Sequence, residues 1–342
     1  MKSRIAVLAG GFLVVLGVFG CLVLMPAVSA SDPDTGPTSV LLGASNDTST
    51  PFNLVDLPAL ARHDADGHDL ELGMVLERGH DWTKRAISYR GDGLRITGTL
   101  TLQQAPKPAP VIVTMHGYLG PATYTRGAGL LREERRLADA GFVVLHPDYR
   151  NFAGSSRESG TPVAQPLGYP DDVINAILAL RAAHLAGVDG SRVGLFGRSM
   201  GGGVALDVAV ARPDLVAALL LYSPVSSSAS NNYDRWVSGP LRTRVDDAFS
   251  TPARNPEFWA DASAVNYLSR IDVPVEIHHG LADQVCPEVW SEETAAALRA
   301  AGKQVQLFTY AGEEHRFDRQ WPLFMERALA YFKAQLDSTQ GP

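Results

Sequence analysis

The sequence predicts an α/β fold built on a mostly parallel β-sheet with helices on both faces. Short apolar runs without polar alternation, such as "VIVTM" (111–115) and "ALLLY" (218–222), are typical of strands buried on both faces of a sheet. Helical segments separate these runs, and a repeated β-α order favours parallel pairing. The chain has 342 residues, of which 45% are apolar and 20% are charged, so it can form a large core.

An antiparallel hairpin opens the predicted sheet. After the Gly-Asp-Gly turn at 91–93, Leu94, Ile96, Leu100 and Leu102 share one face of a strand and alternate with polar residues. Because ligands bind beyond the carboxyl ends of parallel strands, the residues that follow each later strand are candidate site residues. Later strands are predicted at 111–115, 142–145, 193–196, 218–222, 275–279 and 305–310, with helices near 130–140, 171–185, 287–301 and 322–335 and one starting at Met200.

The N-terminal residues predict export. Lys2 and Arg4 precede an apolar run from Ile5 to Met25, and Val28-Ser29-Ala30 follows as a small-residue cleavage pattern. The run is nearly long enough to span a bilayer, so an uncleaved membrane anchor is the alternative to a signal peptide. A lipid-modified Cys21 is a third option. In each case we expect the body of the protein to be extracytoplasmic: secreted, periplasmic or membrane-anchored.

Composition divides the rest of the chain. Residues 1–30 are the signal peptide or anchor, residues 31–56 read as a flexible linker rich in small and polar residues, and residues 57–342 form the catalytic domain. An irregular, aromatic-rich insertion at about 223–270 is expected to form a small cap. Loss of residues 1–30 would leave Cys286 as the remaining cysteine, without a partner for an intrachain disulfide.

A candidate nucleophile lies in "GRSMG", residues 197–201. The motif is weak alone, but here a strand precedes it and a helix follows, which is the setting of a nucleophile elbow. Ser199 is expected to adopt a strained backbone conformation at this turn. Gly197, Gly201 and Gly202 would let the chain pass without steric clash.

The partners of this serine are expected on the loops after the last two strands. A serine needs a base in hydrogen-bond reach and a carboxylate that orients the base. Asp283 follows the strand at 275–279, and His315 follows the strand at 305–310, in the order Ser, acid, His. For the neighbouring His278 and His279 we expect core or supporting roles.

Two backbone N–H groups are predicted to form the oxyanion hole. One belongs to Met200, the residue after the nucleophile, and the other to Tyr118, in the loop "MHGYLG" after the first buried strand. His116 and Gly117 would shape that loop. Near the base, Glu313 and Glu314 are interpreted as a solvated pair.

These motifs resemble the α/β-hydrolases, specifically the catalytic domain of the prolyl oligopeptidase and dienelactone hydrolase-like group. The resemblance covers about residues 86–335 and rests on "MHGYLG", "HPDYRNFAGSS", "YPDDVINAI", "GRSMGG", "SPVSS", "IHHGLADQVCP" and "AGEEHRF". It implies that Ser199, Asp283 and His315 are nucleophile, acid and base. Larger members carry a β-propeller that restricts them to short peptides, and none is expected here. Cys286 is given no catalytic role, because the elbow carries serine.

The leading functional prediction is a serine hydrolase that needs no metal or cofactor and cleaves carboxylic esters or small peptide-like amides through an acyl-enzyme. The alternatives are an exported prolyl oligopeptidase-like peptidase and a catalytically silent binding module on the same scaffold. A metal hydrolase is disfavoured, because the sequence has no HExxH motif or paired Cys/His spacing. The net charge of −7, without a basic cluster, argues against a nucleic-acid partner.

Overall fold

A nine-stranded sheet organises the computed structural model, which describes residues 56–104, 107–157 and 165–337. All of these residues belong to one compact unit of the chain, Pro51–Pro342. The predicted signal peptide or anchor, and all of the predicted linker except Asp56, lie outside the described residues. Within the described ranges, no helix combines the length and the apolar character needed to cross a bilayer.

The sheet confirms the predicted mostly parallel arrangement. Its strand order is β1-β2-β3-β5-β4-β6-β7-β8-β9. The first three strands and the β3–β5 pair are antiparallel, and all later pairs are parallel. The strands are β1 (His68–Arg78), β2 (Trp82–Gly91), β3 (Leu94–Gln103), β4 (Ala109–Met115), β5 (Val143–Pro147), β6 (Val188–Arg198), β7 (Ala218–Tyr222), β8 (Val275–Gly280) and β9 (Val305–Tyr310).

Helices cover both faces of the sheet, as predicted. One core cluster packs α1, α3, α4 and α8 against the sheet, and a second cluster packs α2 and α9 on the opposite face. The helices are α1 (Leu57–Arg62), α2 (Leu131–Asp139), α3 (Gln165–Ala182), α4 (Met200–Ala211), α5 (Ala229–Trp236), α6 (Gly239–Phe249), α7 (Pro256–Asp261), α8 (Val289–Ala300) and α9 (Trp321–Leu336), with 3-10 helices at Pro213–Leu215 and Ala264–Arg270.

Two elements at the start of the domain were not predicted. Helix α1 has six residues, too short for a periodic pattern, yet Leu57 and Leu60 are buried in the core. Strand β1 lies at the sheet edge, where Leu72, Met74 and Leu76 remain exposed. Its apolar residues alternate with polar ones, so the strand was detectable from the sequence.

The insertion between β7 and β8, predicted as irregular, is mostly helical. It contains α5, α6, α7 and the 3-10 helix at Ala264–Arg270. Tyr233, Val245 and Trp259 form a small buried cluster of its own, and the rings of Tyr233 and Trp259 are 4.8 Å apart. The aromatic residues of this insertion therefore stabilise it from within.

Helix α5 connects the insertion to the loop that follows β8. Arg235 Nη2 donates hydrogen bonds to the backbone oxygens of Gln284 at 2.7 Å and Val285 at 3.1 Å. The insertion thus contacts the strand-end loop on which the sequence predicts the catalytic acid.

A buried ion pair ties the hairpin to α2. Lys84 Nζ donates to Glu134 Oε2 at 2.6 Å, and the two residues are 6% and 2% exposed. Thr114 Oγ1 donates to Glu134 Oε1 at 3.0 Å, and His146 also bonds this oxygen. Burial acts to raise the pKa of Glu134, but His146 and Lys84 outweigh it and hold that pKa below its usual range.

The substitution Lys84→Met is expected to lower the free energy of unfolding by about 3 kcal/mol. Removing one partner of a buried ion pair leaves the other charge undercompensated, and the remaining bonds to Glu134 keep the loss at the low end of the usual range. Urea denaturation measures it. Arg135→Met is the control, because Arg135 pairs with Glu77 at an exposed site. The prediction would be contradicted if Lys84→Met lowered the free energy of unfolding by no more than Arg135→Met does.

Candidate active site

The turn between β6 and α4 has the geometry predicted for a nucleophile elbow. Ser199 has φ 57° and ψ −123°, a strained conformation for a residue with a side chain. Its N–H donates to Tyr222 O at 3.0 Å, and its carbonyl accepts from Gly202 N–H at 2.9 Å and Val225 N–H at 3.1 Å. The end of β7 and the first turn of α4 therefore hold the strained backbone in place.

Glycines permit the close packing of this turn. A Cβ at Gly197 would lie 2.1 Å from Gly201 O, and a Cβ at Gly201 would lie 2.0 Å from Met115 O at the end of β4. At Gly202 the Cβ would lie 2.7 Å from Pro224 Cβ. The predicted need for small residues at these three positions is confirmed.

The predicted acid and base are joined directly. His315 Nδ1 lies 2.8 Å from Asp283 Oδ2, so the imidazole donates to the carboxylate. The side chain of Asp283 is fully buried, whereas that of His315 is 20% exposed. A buried carboxylate that orients a partly exposed imidazole is the arrangement that a general base requires.

Four donors surround the Asp283 carboxylate. Oδ1 accepts from the N–H groups of Val285 at 2.8 Å and Cys286 at 3.0 Å, and Oδ2 accepts from His315 and from His279 Nε2 at 3.1 Å. Burial acts to raise the pKa of Asp283, but these donors, His279 and His315 foremost, hold the pKa well below its usual range. Asp283 is therefore a stable anion.

Cys286 links the elbow to the acid loop. Its Sγ lies 4.0 Å from Ser199 Oγ, and the residue is fully buried. Burial, together with the charge of Asp283, raises the pKa of the Cys286 thiol to about 12. The thiol is thus neutral, in keeping with the interpretation that Cys286 is not a nucleophile. These contacts place the loop of Asp283 against the elbow and His315 against Asp283. Among the described residues, Ser199 Oγ and His315 make no direct hydrogen bond, and the side-chain partner of Ser199 Oγ is Cys286.

The predicted oxyanion residues lie on either side of the serine. Met200 is the first residue of α4, where backbone N–H groups have no partner within the helix. Gly117 packs against the serine, because its Cβ would lie 3.0 Å from Ser199 Cβ, and Tyr118 is the next residue. His116 is buried and its Nδ1 lies 2.7 Å from Gly117 O, so it shapes this loop as expected.

Comparison with known proteins identifies the family of this chain. A sequence model of the prolyl oligopeptidase family matches residues 132–339, which is more than half of the chain. The chain belongs to the prolyl oligopeptidase family. It is a serine hydrolase of the α/β-hydrolase fold, and the resemblance inferred from its motifs is confirmed.

Three relatives illustrate the range of the family and fold. The uncharacterized peptidase YtmA of Bacillus subtilis is 25% identical over 242 residues, 68% of this chain and 85% of YtmA. The acetyl xylan esterase from Paenibacillus sp. R4 superposes with a TM-score of 0.63 at 20% identity, over 84% of this chain and 95% of the esterase. Pyrococcus horikoshii acylaminoacyl peptidase has a TM-score of 0.64 at 20% identity, over 77% and 43%. The two structural likenesses establish the fold.

Asp148 is a residue of this prolyl oligopeptidase-family site that the sequence analysis missed. Its Oδ1 accepts from Gly127 N–H at 2.8 Å and Tyr124 OH at 2.8 Å, and its Oδ2 accepts from Thr97 Oγ1 at 2.6 Å. Gly127 and Tyr124 belong to the loop that carries Tyr118, so Asp148 braces that loop. Its position directly after β5, at the same sheet edge, was the available signal.

The interpretation of Glu313 as a solvated residue was wrong. Glu313 is 3% exposed, and its carboxylate accepts from the N–H groups of Asp318 and Gln320, each at 2.6 Å. It therefore closes the turn around His315. Glu314 is exposed, as expected.

One group among the described residues has the composition of a metal site. Ligand atoms of His63, Asp92 and Asp171 lie within 4.8 Å of one another. Asn175 Nδ2 already donates to Asp92 Oδ2 at 2.6 Å, and Arg150 Nη2 donates to Asp171 Oδ2 at 2.7 Å. The group contains none of the candidate catalytic residues.

The stability of the enzyme is expected to depend on pH through His116. Burial lowers the pKa of His116 from 6.5 to about 3. Between these values the unfolded chain binds a proton that the folded chain does not, so this contribution is present above pH 6.5 and declines as the pH falls. In His116→Phe the free energy of unfolding should fall less between pH 7 and 5 than in the wild type.

Denaturant titrations at both pH values measure this difference. His184→Asn removes a histidine from an exposed position and serves as the control, which should behave as the wild type. Equal pH dependence in His116→Phe and the wild type would show that His116 does not carry this effect.

Proposed function

We propose that the protein hydrolyses carboxylic esters or small amides through an acyl-enzyme formed on Ser199. His315 acts as general base and Asp283 as its orienting carboxylate. The observation that carries the proposal is the 2.8 Å bond between His315 Nδ1 and Asp283 Oδ2, on two loops that follow β8 and β9 at the sheet edge where the strained Ser199 follows β6.

Acylation begins with the hydroxyl of Ser199. Its Oγ attacks the carbonyl carbon of the substrate, while its proton moves to Nε2 of His315. The other ring nitrogen, Nδ1, keeps its proton and donates a hydrogen bond to Asp283, whose negative charge stabilises the imidazolium. The imidazolium then gives its proton to the leaving alkoxide or amine, and the acyl group stays on Ser199.

The negative oxygen of the tetrahedral intermediate is bound by two backbone N–H groups. Met200 supplies one, at the start of α4, where the helix dipole also favours negative charge. Tyr118 supplies the other from the loop after β4. Water then attacks the acyl carbon, with His315 as base again, and frees Ser199.

An open entrance favours small ester substrates. The side chain of Tyr118 is 68% exposed, and Leu281 and Val285 on the acid loop are 54% and 41% exposed. Esters also have a better leaving group than amides. We therefore place carboxylic esters with small acyl groups first among the candidate substrates. The proposed reaction uses no metal or cofactor, and nucleic acid is not a proposed partner.

A peptidase of exported oligopeptides is the second candidate. Membership of the prolyl oligopeptidase family supports it, as do the names of YtmA and of the Pyrococcus acylaminoacyl peptidase. The insertion that contacts the acid loop through Arg235 could accept part of a peptide chain.

We also propose an extracytoplasmic location. It rests on the apolar N-terminal run with its two preceding cations, which either directs cleavage after Ala30 or attaches the protein to the membrane. Mass spectrometry of the mature N-terminus distinguishes the two: a mature chain that begins at Ser31 supports cleavage, and a retained Ile5–Met25 run supports the anchor.

Ser199→Ala is expected to lower kcat on p-nitrophenyl acetate by several orders of magnitude, because the attacking atom is removed, with little change in the melting temperature. His315→Ala should behave in the same way. A fluorophosphonate probe should label the wild type at Ser199 and not the alanine variant. A folded wild type that takes no label would favour a binding module, and full activity in Ser199→Ala would revive a metal-dependent mechanism.

A panel of p-nitrophenyl esters and aminoacyl anilides should show higher kcat/KM for short acyl esters. The ester advantage should persist when the acyl part is matched between an ester and its anilide. Higher kcat/KM for a matched anilide would instead support the peptidase.

A further inference from the structure

His279 is a buried titratable residue that the proposed mechanism does not use. It is the penultimate residue of β8 and is fully buried. Its Nε2 lies 3.1 Å from Asp283 Oδ2 and 3.0 Å from Cys286 O, and its Nδ1 lies 2.6 Å from Ser291 Oγ in α8. Both ring nitrogens therefore have partners.

The partners determine where the ring carries its proton. Nε2 faces a carboxylate and a carbonyl, which can only accept, so Nε2 must be the protonated nitrogen. Nδ1, the other ring nitrogen, is hydrogen-bonded to Ser291 Oγ. His279 therefore links α8 to the Asp283 carboxylate and donates a hydrogen bond to that carboxylate.

At Asp283, His279 and His315 share the same oxygen. The backbone donors of Val285 and Cys286 bind Oδ1, whereas Oδ2 has the two imidazoles as its donors. His279 is thus the side chain that holds Oδ2 in place independently of His315. Its hydrogen bond to Oδ2 also stabilises the negative charge of Asp283, which would otherwise interact more strongly with His315.

We propose that His279 is a positioning residue for the hydrolase reaction, which orients the Asp283 carboxylate towards His315 and moderates its charge. The inference rests on the proposed roles of Asp283 and His315. In its absence the carboxylate is held from the Oδ1 side and by His315 alone. The negative charge of Asp283 then interacts more strongly with His315, so His315 keeps its proton to a higher pH.

Other charged groups near this pair are few among the described residues. Glu288 at the start of α8 interacts electrostatically with His279, and the guanidinium of Arg235 binds the acid loop. The thiol of Cys286 is neutral. These groups are unchanged in the variants below, so a shift of the pH profile reports on the bond between His279 and Asp283.

The decisive comparison is between His279→Ala and His279→Gln. With p-nitrophenyl acetate as substrate, His279→Ala should lower kcat by about 10- to 100-fold, the loss seen at metal sites when a hydrogen-bond partner that orients a ligand is removed, with KM nearly unchanged. The acid limb of the kcat profile should move to higher pH. His279→Gln retains an N–H at the place of Nε2 and should recover most of both properties.

His278→Ala is the matched control. His278 is equally buried in the same strand, but it contacts Tyr310 OH at 2.9 Å and Glu276 Oε2 at 3.1 Å rather than Asp283. The His278→Ala variant should be less stable than the wild type, but the acid limb of its kcat–pH profile should not move. If His279→Ala and His278→Ala shift stability alike and leave the acid limb in place, His279 is only structural and the inference is overturned.

A second measurement separates this inference from the proposed function. The low-field proton NMR signal of the His315 Nδ1–H group should move in His279→Ala and stay in place in His278→Ala, whether or not the ester is a substrate. An unmoved signal in His279→Ala overturns the inference. Absence of hydrolysis by the wild type, with a signal that moves as expected, would overturn the proposed function alone.

Discussion

The backbone turn at Ser199 is the constraint on which the rest of the site depends. The chain leaves β6 and enters α4 within one residue, and it passes Met115 so closely that Gly201 has no room for a side chain. In the same turn, the N–H of Ser199 donates a hydrogen bond to Tyr222 O at the end of β7. Three neighbouring strand ends are therefore tied together before any catalytic partner is added.

The loops that carry Asp283 and His315, the proposed acid and base, depend on a second set of backbone contacts. Ala282 N–H donates to Glu313 O at 2.9 Å, and a Cβ at Gly280 would lie 2.3 Å from the same oxygen. Leu281 N–H donates to Tyr310 O at 3.0 Å. These bonds join the ends of β8 and β9, so the bond between Asp283 and His315 forms between two segments that are already adjacent. Rigid neighbours of this kind lower the cost of preorganising a site.

Buried polar groups extend the site below its surface. Asp148 braces the loop that carries Tyr118, and Tyr124 joins Asp148 to His146, whose other nitrogen bonds Glu134. Lys84 balances the charge of Glu134. Such networks are stable only when every member has a partner, and they then permit a single arrangement. The loop that carries Tyr118 is thus coupled to the packing of α2 and the hairpin.

Local patterns along the chain were sufficient for the parallel sheet, the hairpin, the elbow glycines and the order of Ser199, Asp283 and His315. Strand periodicity, turn chemistry and strand ends are properties of neighbouring residues, so they can be predicted without knowledge of the fold. The bond from His279 to Asp283, the burial of Glu313 and the brace at Asp148 emerged from the folded chain. Each of these features depends on which distant segments of the chain come into contact and on how burial changes the energy of a polar group. A short stretch of sequence determines neither of them.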